Sequence, residues 1–266
     1  TRVMPYEPHA ECYLPDQTGY HDDTLDIRIE TMRRDDTNVM LAYVTLTDPC
    51  QFRTATASPS YPSKRTAMVT ALTKSVHAVM GINGDYFNYH NYGIAVRNTR
   101  VLRMNPGKGR DTLIVDENGD FTILSPTSQE AYDAFPRTVV HAFCFGPGLV
   151  KDGEAITSTD DIEGGFCGKD KKTQRMVIGQ TGPLQYLIMT CEGPENEGSV
   201  GFDLLQAAAL CKELGCINAY NLDGGSSSTI SLNNKKINAT SSGKIRDVGD
   251  IIFFATLQHL QKEVHN

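Results

Sequence analysis

The chain alternates apolar and polar residues in a series of short segments separated by turn residues. Leu25–Glu30 and Val39–Leu46 alternate cleanly, a period of two that is typical of strands with one covered face. Glu117-Asn118-Gly119-Asp120 and Asp152-Gly153 indicate tight hairpin turns. Other strand-like segments lie at 78–83, 93–102, 113–124, 139–145, 148–156, 175–179, 185–191, 216–222, 229–238 and 251–255. We therefore predict large, mostly antiparallel sheets.

Helical spacing occurs in fewer places. The segment 62–78 carries apolar residues on one side and begins with Pro62, which suits a first turn. A second helix is predicted over 203–214, ending before Gly215. A short helix is expected within 126–135. Together with the strands, these segments predict an α+β fold with a few packed helices.

Length and composition limit the classes of protein. The 266 residues are expected to form a single domain over 23–257, with an N-terminal arm at 1–22 and a C-terminal tail at 258–266. A net charge of -7 gives no sign of nucleic-acid binding. No apolar run approaches the roughly 20 residues that a membrane span needs. Because the chain opens at Thr1 rather than Met, we expect that an original targeting segment is missing.

The seven cysteines include no C-x-x-C pair, which argues against a zinc ribbon or a thioredoxin motif. Cys144 and Cys167 bracket a charged, glycine-rich loop and are a candidate disulfide; Cys12 and Cys50 are a second candidate pair. Buried free thiols are the alternative. Asn238-Ala239-Thr240 is a glycosylation sequon. The balance favours a secreted or cell-envelope protein.

The stretch from Tyr220 to Thr229 is organised as the end of a strand, a tight loop and the start of a hairpin. Its loop carries Asp223, two adjacent glycines and three serines. Adjacent glycines let a backbone approach a ligand closely, and successive amides with serine hydroxyls can hold an anion. The alternative is an ordinary glycine-rich loop with solvated serines.

Polar groups also arrive at other strand ends. Asn83-Gly84-Asp85 follows an apolar strand and precedes tyrosines that would suit stacking on a sugar, although Asn-Gly is also a common turn pair. Arg175 and the corner at 191–193 are expected at one open end of a hairpin, and Arg246 lies just ahead of the last strand.

Taken together, these pieces resemble the phosphodiester glycosidase family. The matching segments are Gly81–Phe87, Gly93, Gln174–Gly179, Glu192-Gly193 with Ser199 and Gly201, Asn221–Ser227, and Arg246. They follow the family's order over about residues 78–255. The Asn-Leu-Asp-Gly-Gly-Ser-Ser piece is specific, whereas the others are informative only together. The sequence departs from the family at Asp85, where a small residue is usual, and at Glu192, where Asp is common.

The resemblance implies hydrolysis of a sugar-1-phosphodiester between the anomeric carbon and the bridging oxygen, on glycans or cell-envelope polymers. The leaving phosphate is already anionic, so it needs charge stabilisation more than protonation, and arginine suits this task. Arg175 and Arg246 are the predicted phosphate ligands. The loop residues predicted to assist them are Gly224, Gly225, Ser226 and Ser227.

Glycosyl transfer also needs a carboxylate as nucleophile or base and a second group as acid. Asp223 is the predicted base or nucleophile, Glu192 its partner and Asp85 the reserve. Asn83, with Gly84, is predicted to position a sugar hydroxyl or a carboxylate, or else only to make the turn. A strand-end salt bridge is the alternative for Arg175 and Glu192.

Other classes can be weighed against this hypothesis. A serine hydrolase would need Gly-x-Ser-x-Gly before a helix, which the loop lacks. The alternative function is a non-catalytic extracellular carbohydrate-binding protein. No cofactor is demanded, although Asp85, Asp223 and Glu192 could collect a divalent cation. The expected partner is a sugar-phosphodiester or polysaccharide substrate, and the central spatial prediction is that Asp223 faces Arg175 across a shared cleft.

Overall fold

The computed structural model describes residues 5–106, 110–162 and 167–259. Within these ranges the chain forms eighteen strands and three α-helices. The strands are β1 Gly19–His21, β2 Leu25–Arg34, β3 Thr37–Leu46, β4 Phe52–Thr56, β5 Met80–Asn83, β6 Gly93–Arg97, β7 Arg100–Asn105, β8 Thr112–Asp116, β9 Phe121–Leu124, β10 Val139–Phe143, β11 Gly148–Lys151, β12 Glu154–Ala155, β13 Met176–Gly182, β14 Gln185–Cys191, β15 Asn218–Leu222, β16 Ile230–Leu232, β17 Lys235–Lys236 and β18 Asp250–Phe254. The helices are α1 Val69–Ser75, α2 Gln129–Asp133 and α3 Leu204–Glu213.

The strands of the described ranges build three sheets. The largest has the order β1-β2-β3-β14-β13-β15-β11-β12, and the two others have the orders β7-β6-β10-β8-β9 and β17-β16-β5-β18-β4. Every pairing between these strands is antiparallel. The predicted α+β fold with mostly antiparallel sheets is therefore confirmed.

One aromatic cluster joins all three sheets into a single core. The Phe52 ring lies 5.5 Å from Phe254 in its own sheet, 5.9 Å from Phe121 of β9 and 5.3 Å from Tyr186 of β14. These side chains are almost completely buried. Since each buried aromatic side chain contributes on the order of 1.5–3 kcal/mol, the sheets stabilise one another as one domain.

The helices follow the sequence in two of three cases. Asp203 caps α3 with a capping box, since its carboxylate accepts from the Gln206 amide and the Gln206 side chain accepts from the Asp203 amide. A short helix, α2, lies where one was expected. The helix predicted over 62–78 is limited to α1, because the Ala67 backbone forms a bridge with Val248 and is not available to a helix.

The described parts of the N- and C-terminal segments contact the folded chain. Gly19–His21, predicted as part of an arm, instead forms β1 at the edge of the eight-stranded sheet. Near the other end, the Gln258 carbonyl oxygen lies 3.2 Å from His9 Nε2. Residues 1–4 and 260–266, at the outer ends of the predicted arm and tail, lie outside the described residues. None of the described helices has the length and apolar character to cross a bilayer.

The cysteine pairs and the sequon predicted from sequence are not realised. All seven cysteines lie in the described ranges and all are free thiols. Cys144 is buried and its sulfur accepts from Arg103 Nη2 at 3.2 Å, while Cys167 packs elsewhere in the core. Asn238 is buried, with Nδ2 donating to the Ser228 carbonyl oxygen at 3.0 Å, so its amide is not presented for glycosylation.

Candidate functional site

The loop that carries Asp223 connects two sheets. It leaves β15 of the eight-stranded sheet after Leu222 and enters β16 of the sheet that contains β5. Because β5 pairs with β16 and ends at Asn83, the Asn83-Gly84 segment is brought beside the loop. Two of the segments that the sequence singled out therefore meet at the junction of two sheets.

Asn83 holds both ends of this loop. The residue is fully buried, and its Nδ2 donates to the Asp223 carbonyl oxygen at 2.8 Å. Its Oδ1 accepts from the Thr229 amide at 3.1 Å. The side chain is thus a positioning group, and it fixes where Asp223 leaves the strand.

Arg246 is the cation that faces Asp223. Its Nη1 lies 3.7 Å from Asp223 Oδ2, and its backbone amide donates to the Ser226 carbonyl oxygen at 2.9 Å. The Arg246 side chain is 47% exposed, whereas that of Asp223 is 13% exposed. A separation of 3.7 Å exceeds a hydrogen bond, so the two groups form an ion pair without a direct hydrogen bond.

The environment of Asp223 raises its pKa to about 6. Burial is the main cause, because removing water disfavours the charged carboxylate, and the charge of Asp85 acts in the same direction. The Ser227 hydroxyl, the Arg246 charge and the Gly224 amide favour the ionised form and lower the pKa in part. Ser227 Oγ is nevertheless buried, and it forms no hydrogen bond of ordinary geometry with the part of the chain that the structure describes, so its influence is one of proximity.

Tyr86 forms a further wall of this site. Its backbone takes the left-handed conformation, with φ 66°, which is uncommon for a residue that carries a side chain and is often found at functional sites. Its ring stacks on Tyr89 with centroids 4.1 Å apart. Burial raises the pKa of Tyr86. The Arg246 charge lowers that pKa in part, and the Asp223 charge raises it. Tyr89 is one of the tyrosines that the sequence predicts to suit stacking on a sugar, and that role stays a prediction.

A small depression between these groups includes a residue that the sequence analysis missed. It is lined by Gly84, Tyr86, Asp223 and Asp250, among others. A Cβ at Gly84 would overlap the Asp250 carboxylate, so only glycine fits there. Asp250 begins the last strand and carries no local motif. Its Oδ1 is buried, and no described residue hydrogen-bonds to it. Only the tertiary fold reveals its place.

Asp85, the reserve catalytic carboxylate, is committed to a buried ion network. Its Oδ1 accepts from Arg97 Nη2 at 2.7 Å and its Oδ2 from the Cys144 amide at 2.8 Å. Arg97 Nε also donates to Asp250 Oδ2 at 2.7 Å. Burial alone would raise the pKa of Asp85, but Arg97 and the Cys144 amide lower it overall. The carboxylate stabilises the fold, and the predicted catalytic role is not supported by its position.

Arg175 does not face Asp223, so the central spatial prediction is wrong. Its side chain is buried, with Nε donating to the Phe202 carbonyl oxygen at 3.0 Å and Nη1 to that of Cys167 at 2.6 Å. Its Nη2 donates to two further carbonyl oxygens in the segment 168–171. Burial lowers the pKa of this guanidinium. Arg175 anchors a loop, and Arg246 is the arginine that meets Asp223.

Glu192 lines a different cavity from Asp223. Its Oε2 accepts from Asn38 Nδ2 at 2.9 Å and from Ser199 Oγ at 2.6 Å. The cavity has a volume of about 440 Å³ and is also lined by Gln174. Because β13 lies between β14 and β15, the backbones at Glu192 and Asp223 are two strand spacings, or about 10 Å, apart. Neither the predicted salt bridge with Arg175 nor a direct pairing with Asp223 is formed.

The glycine-rich loop uses its amides within the protein. Gly225 donates to the Gln174 carbonyl oxygen at 3.0 Å, Ser227 to that of Gly224 and Ser228 to that of Gly225. The predicted anion nest of successive free amides is therefore largely occupied. The hydroxyls of Ser227, Ser228 and Thr229 are instead buried and have no hydrogen-bond partner within the described ranges.

The predicted alternative of a shared cation site is not assembled. Asp85 is paired with Arg97, and Glu192 lies across β13 from Asp223. Across the described ranges, no three His, Cys, Asp or Glu side chains gather in a way that could hold a metal ion.

Comparison with known proteins identifies the family to which the chain belongs. Residues 77–255 match the family model described as phosphodiester glycosidase. The chain belongs to the phosphodiester glycosidase family. Membership supports a hydrolase with phosphodiester glycosidase activity in general. A prophage-derived uncharacterized protein of Bacillus subtilis strain 168, YomE, is 28% identical over 144 residues, which are 54% of this chain and 22% of that protein. The chain thus spans less than a quarter of that relative.

Solved structures share the fold at low identity. The catalytic domain of zebrafish N-acetylglucosamine-1-phosphodiester alpha-N-acetylglucosaminidase, auto-inhibited by its pro-peptide, aligns with a TM-score of 0.68 and 16% identity over 96% of this chain and 89% of that one. A hypothetical protein from Synechocystis aligns at 0.64 and 14%, covering 88% and 62% of the two chains. A candidate exported protein from Burkholderia pseudomallei K96243 aligns at 0.61 and 14%, covering 83% and 74%.

Proposed function

We propose that this protein hydrolyses a sugar-1-phosphodiester between the anomeric carbon and the bridging oxygen, with Asp223 as base or nucleophile. The observation that carries the proposal is the pairing of a largely buried carboxylate with an arginine whose donors remain available. Asp223 Oδ2 and Arg246 Nη1 lie 3.7 Å apart, at the rim formed by Tyr86. Carboxylate and guanidinium are the groups that attack at C1 and phosphate departure require.

Arg246 is suited to the departing phosphate. No hydrogen bond from its side chain to another described residue competes for its donors, and 47% of the side chain is exposed. A guanidinium offers two parallel donors to phosphate oxygens. As the C1–O bond breaks, its electron pair leaves with the bridging oxygen, and the product phosphate monoester gains negative charge that Arg246 stabilises.

Asp223 supplies the basic group. With a pKa of about 6, the carboxylate is ionised at neutral pH and remains a stronger base than an ordinary aspartate. As a base it takes a proton from water while the oxygen of that water bonds to C1. As a nucleophile it bonds to C1 itself, and water later displaces it. In both cases the phosphate leaves without needing a proton.

The proposal also covers the class of substrate and the location of the protein. We assign the substrate to glycans or cell-envelope polymers that contain a sugar-phosphodiester, and the protein to the secreted or envelope fraction. Two fold neighbours support this assignment: the zebrafish enzyme, whose name specifies a sugar-1-phosphodiester, and the candidate exported protein of Burkholderia pseudomallei.

The test is hydrolysis in ¹⁸O-labelled water, with product analysis by mass spectrometry. We expect a methyl diester of N-acetylglucosamine 1-phosphate or glucose 1-phosphate to yield labelled sugar and unlabelled methyl phosphate. Asp223→Asn should abolish turnover, and the exposed Asp161→Asn control should retain it. Label in the phosphate would show cleavage of the P–O bond and contradict the proposal, as would equal turnover by Asp223→Asn.

A further inference from the structure

The cavity that holds Glu192 is built from two rows of side chains on one face of the eight-stranded sheet. Thr31 pairs with Met40, and Met40 pairs with Thr190. Two residues along, Arg33 pairs with Asn38, and the Glu192 amide donates to the Asn38 carbonyl oxygen. Because residues two apart point to the same face of a strand, both rows contribute to the cavity floor.

Two oxygen acceptors in this cavity lack partners. Gln174 is only 1% exposed, and its Oε1 has no hydrogen-bond partner among the described residues. Its Nε2 donates to the Ala239 carbonyl oxygen at 3.1 Å, which fixes the amide orientation. The contacts that the described residues make with the Glu192 carboxylate all involve Oε2, so Oε1 is available. A buried acceptor without a donor is costly, and a ligand that donates would relieve that cost.

The surroundings select a neutral donor. Met40 and Ala239 give the cavity apolar surface, which suits the C–H faces of a sugar ring. The charge of Glu192 disfavours a phosphate there. Arg33, at the cavity edge, donates from Nη1 to Asn38 Oδ1 at 3.1 Å, and its Nη2 lies 3.7 Å from Asp36. Its charge is therefore already partly balanced.

We propose that this cavity is a subsite for a neutral saccharide unit of the substrate, which donates hydroxyl hydrogen bonds to Gln174 Oε1 and Glu192 Oε1. The link to the substrate rests on the proposed function, while saccharide binding itself does not. Glu192 is thereby a binding group and not the acid partner of Asp223.

The position of the cavity indicates how a substrate would lie between the subsite and Asp223. Gly225 donates to the Gln174 carbonyl oxygen, so the Asp223 loop is fastened to the residue that forms the cavity wall. The backbones at Glu192 and Asp223 are about 10 Å apart. A glycan that fills the subsite extends across Gln174, and its phosphodiester reaches Asp223 and Arg246.

The experiment is calorimetric titration of the full chain carrying Asp223→Asn, which separates binding from hydrolysis. The probes are glucose, N-acetylglucosamine, galactose, maltose and chitobiose, with inorganic phosphate as the charged ligand. We expect at least one saccharide to bind. Gln174→Met and Glu192→Met should each weaken it about tenfold, and Met40→Trp, which fills the cavity, should abolish it. Phosphate affinity should stay unchanged in these variants and fall with Arg246→Gln.

Circular dichroism melting identifies any variant that fails to fold. If Gln174→Met fails to fold, saccharide binding by Met40→Trp tests the subsite in its place. The subsite is refuted if no saccharide binds, if binding survives all three substitutions, or if Gln174→Met weakens phosphate instead. Hydrolysis without saccharide binding would overturn the subsite alone. Saccharide binding without hydrolysis by the unsubstituted protein would overturn the proposed function alone.

Discussion

Asn83 fastens the first and last residues of the loop that carries Asp223. Its Nδ2 lies 2.8 Å from the Asp223 carbonyl oxygen and its Oδ1 lies 3.1 Å from the Thr229 amide. The contacts bridge 140 and 146 positions of sequence. One buried amide therefore couples β5 to the position of the proposed catalytic carboxylate.

Asn83→Asp tests this coupling with little change in shape. The new carboxylate would place an acceptor against the carbonyl oxygens of Gly84 and Asp223, where Nδ2 now donates. We expect the free energy of unfolding to fall by about 1–3 kcal/mol, and kcat to fall with little change in KM. Urea unfolding and steady-state kinetics measure both. Asn234→Asp, at an exposed turn position, is the control. Unchanged stability and kcat in Asn83→Asp would contradict the coupling.

Asp223→Asn should stabilise the protein above the pKa of the carboxyl group. The folded-state pKa of about 6 is higher than the ordinary 3.8, so the folded state binds the proton more tightly. The contribution of Asp223 to stability therefore falls as pH rises from about 4 to about 6, by about 3 kcal/mol for two pKa units. Relative to wild type, Asp223→Asn should gain about 1–3 kcal/mol at pH 8 and little at pH 4.

Urea unfolding at several pH values checks this stability change. Asp161→Asn, which replaces an exposed carboxylate, should show no such gain. A loss of stability in Asp223→Asn at pH 8 would mean that the ionised carboxylate is stabilised where it lies, against the pKa shift.

Arg246→Gln should move the activity profile toward higher pH. The Arg246 charge lowers the pKa of Asp223, so its removal lets that pKa rise and the acid limb of kcat/KM shift upward. The KM for the phosphodiester should rise too, because a phosphate ligand is lost. Lys244→Gln removes the same charge from an exposed position on the same loop and should do neither. An unshifted acid limb in Arg246→Gln would contradict the prediction that the Arg246 charge lowers the pKa of the catalytic Asp223.

Asp85→Asn should act on stability and not on chemistry. The substitution leaves Arg97 buried with Asp250 as its remaining carboxylate partner. Breaking such a pair costs about 3–5 kcal/mol. We expect that loss in chemical unfolding, with the rate per folded molecule at pH 8 close to wild type, because removing the Asp85 charge lowers the pKa of Asp223 and leaves that carboxylate ionised there. Wild-type stability of Asp85→Asn together with lost activity would contradict this account and support a catalytic role for Asp85.

The sequence identified the loops because their polar residues follow apolar strands. Asn83 is the last residue of β5, and Asp223 directly follows the last residue of β15. Turn residues follow both. Since strand ends collect at sheet edges, the sequence predicts where such loops gather. The family motif around Asp223 adds specificity. Arg246, which no strand end locates, lies 3.7 Å from Asp223 through the tertiary fold.

Side-chain direction could not be predicted in the same way. Arg175 is fixed by carbonyl oxygens at 167–171 and 202, whose positions depend on a loop and on the approach of α3. Asp85 and Asp250 are joined through Arg97, although Arg97 and Asp250 are 153 positions apart. No local pattern carries such contacts. A motif match alone therefore does not distinguish a charged residue that acts in catalysis from one that stabilises the fold.

The pH dependence of kcat/KM for a sugar-1-phosphodiester tests the central claim most directly. If Asp223 acts in its ionised form, kcat/KM of the wild type rises through a midpoint near pH 6, and Asp223→Asn shows almost no activity at any pH. Wild-type activity that falls across the same interval, or an Asp223→Asn profile that matches the wild type, would contradict it.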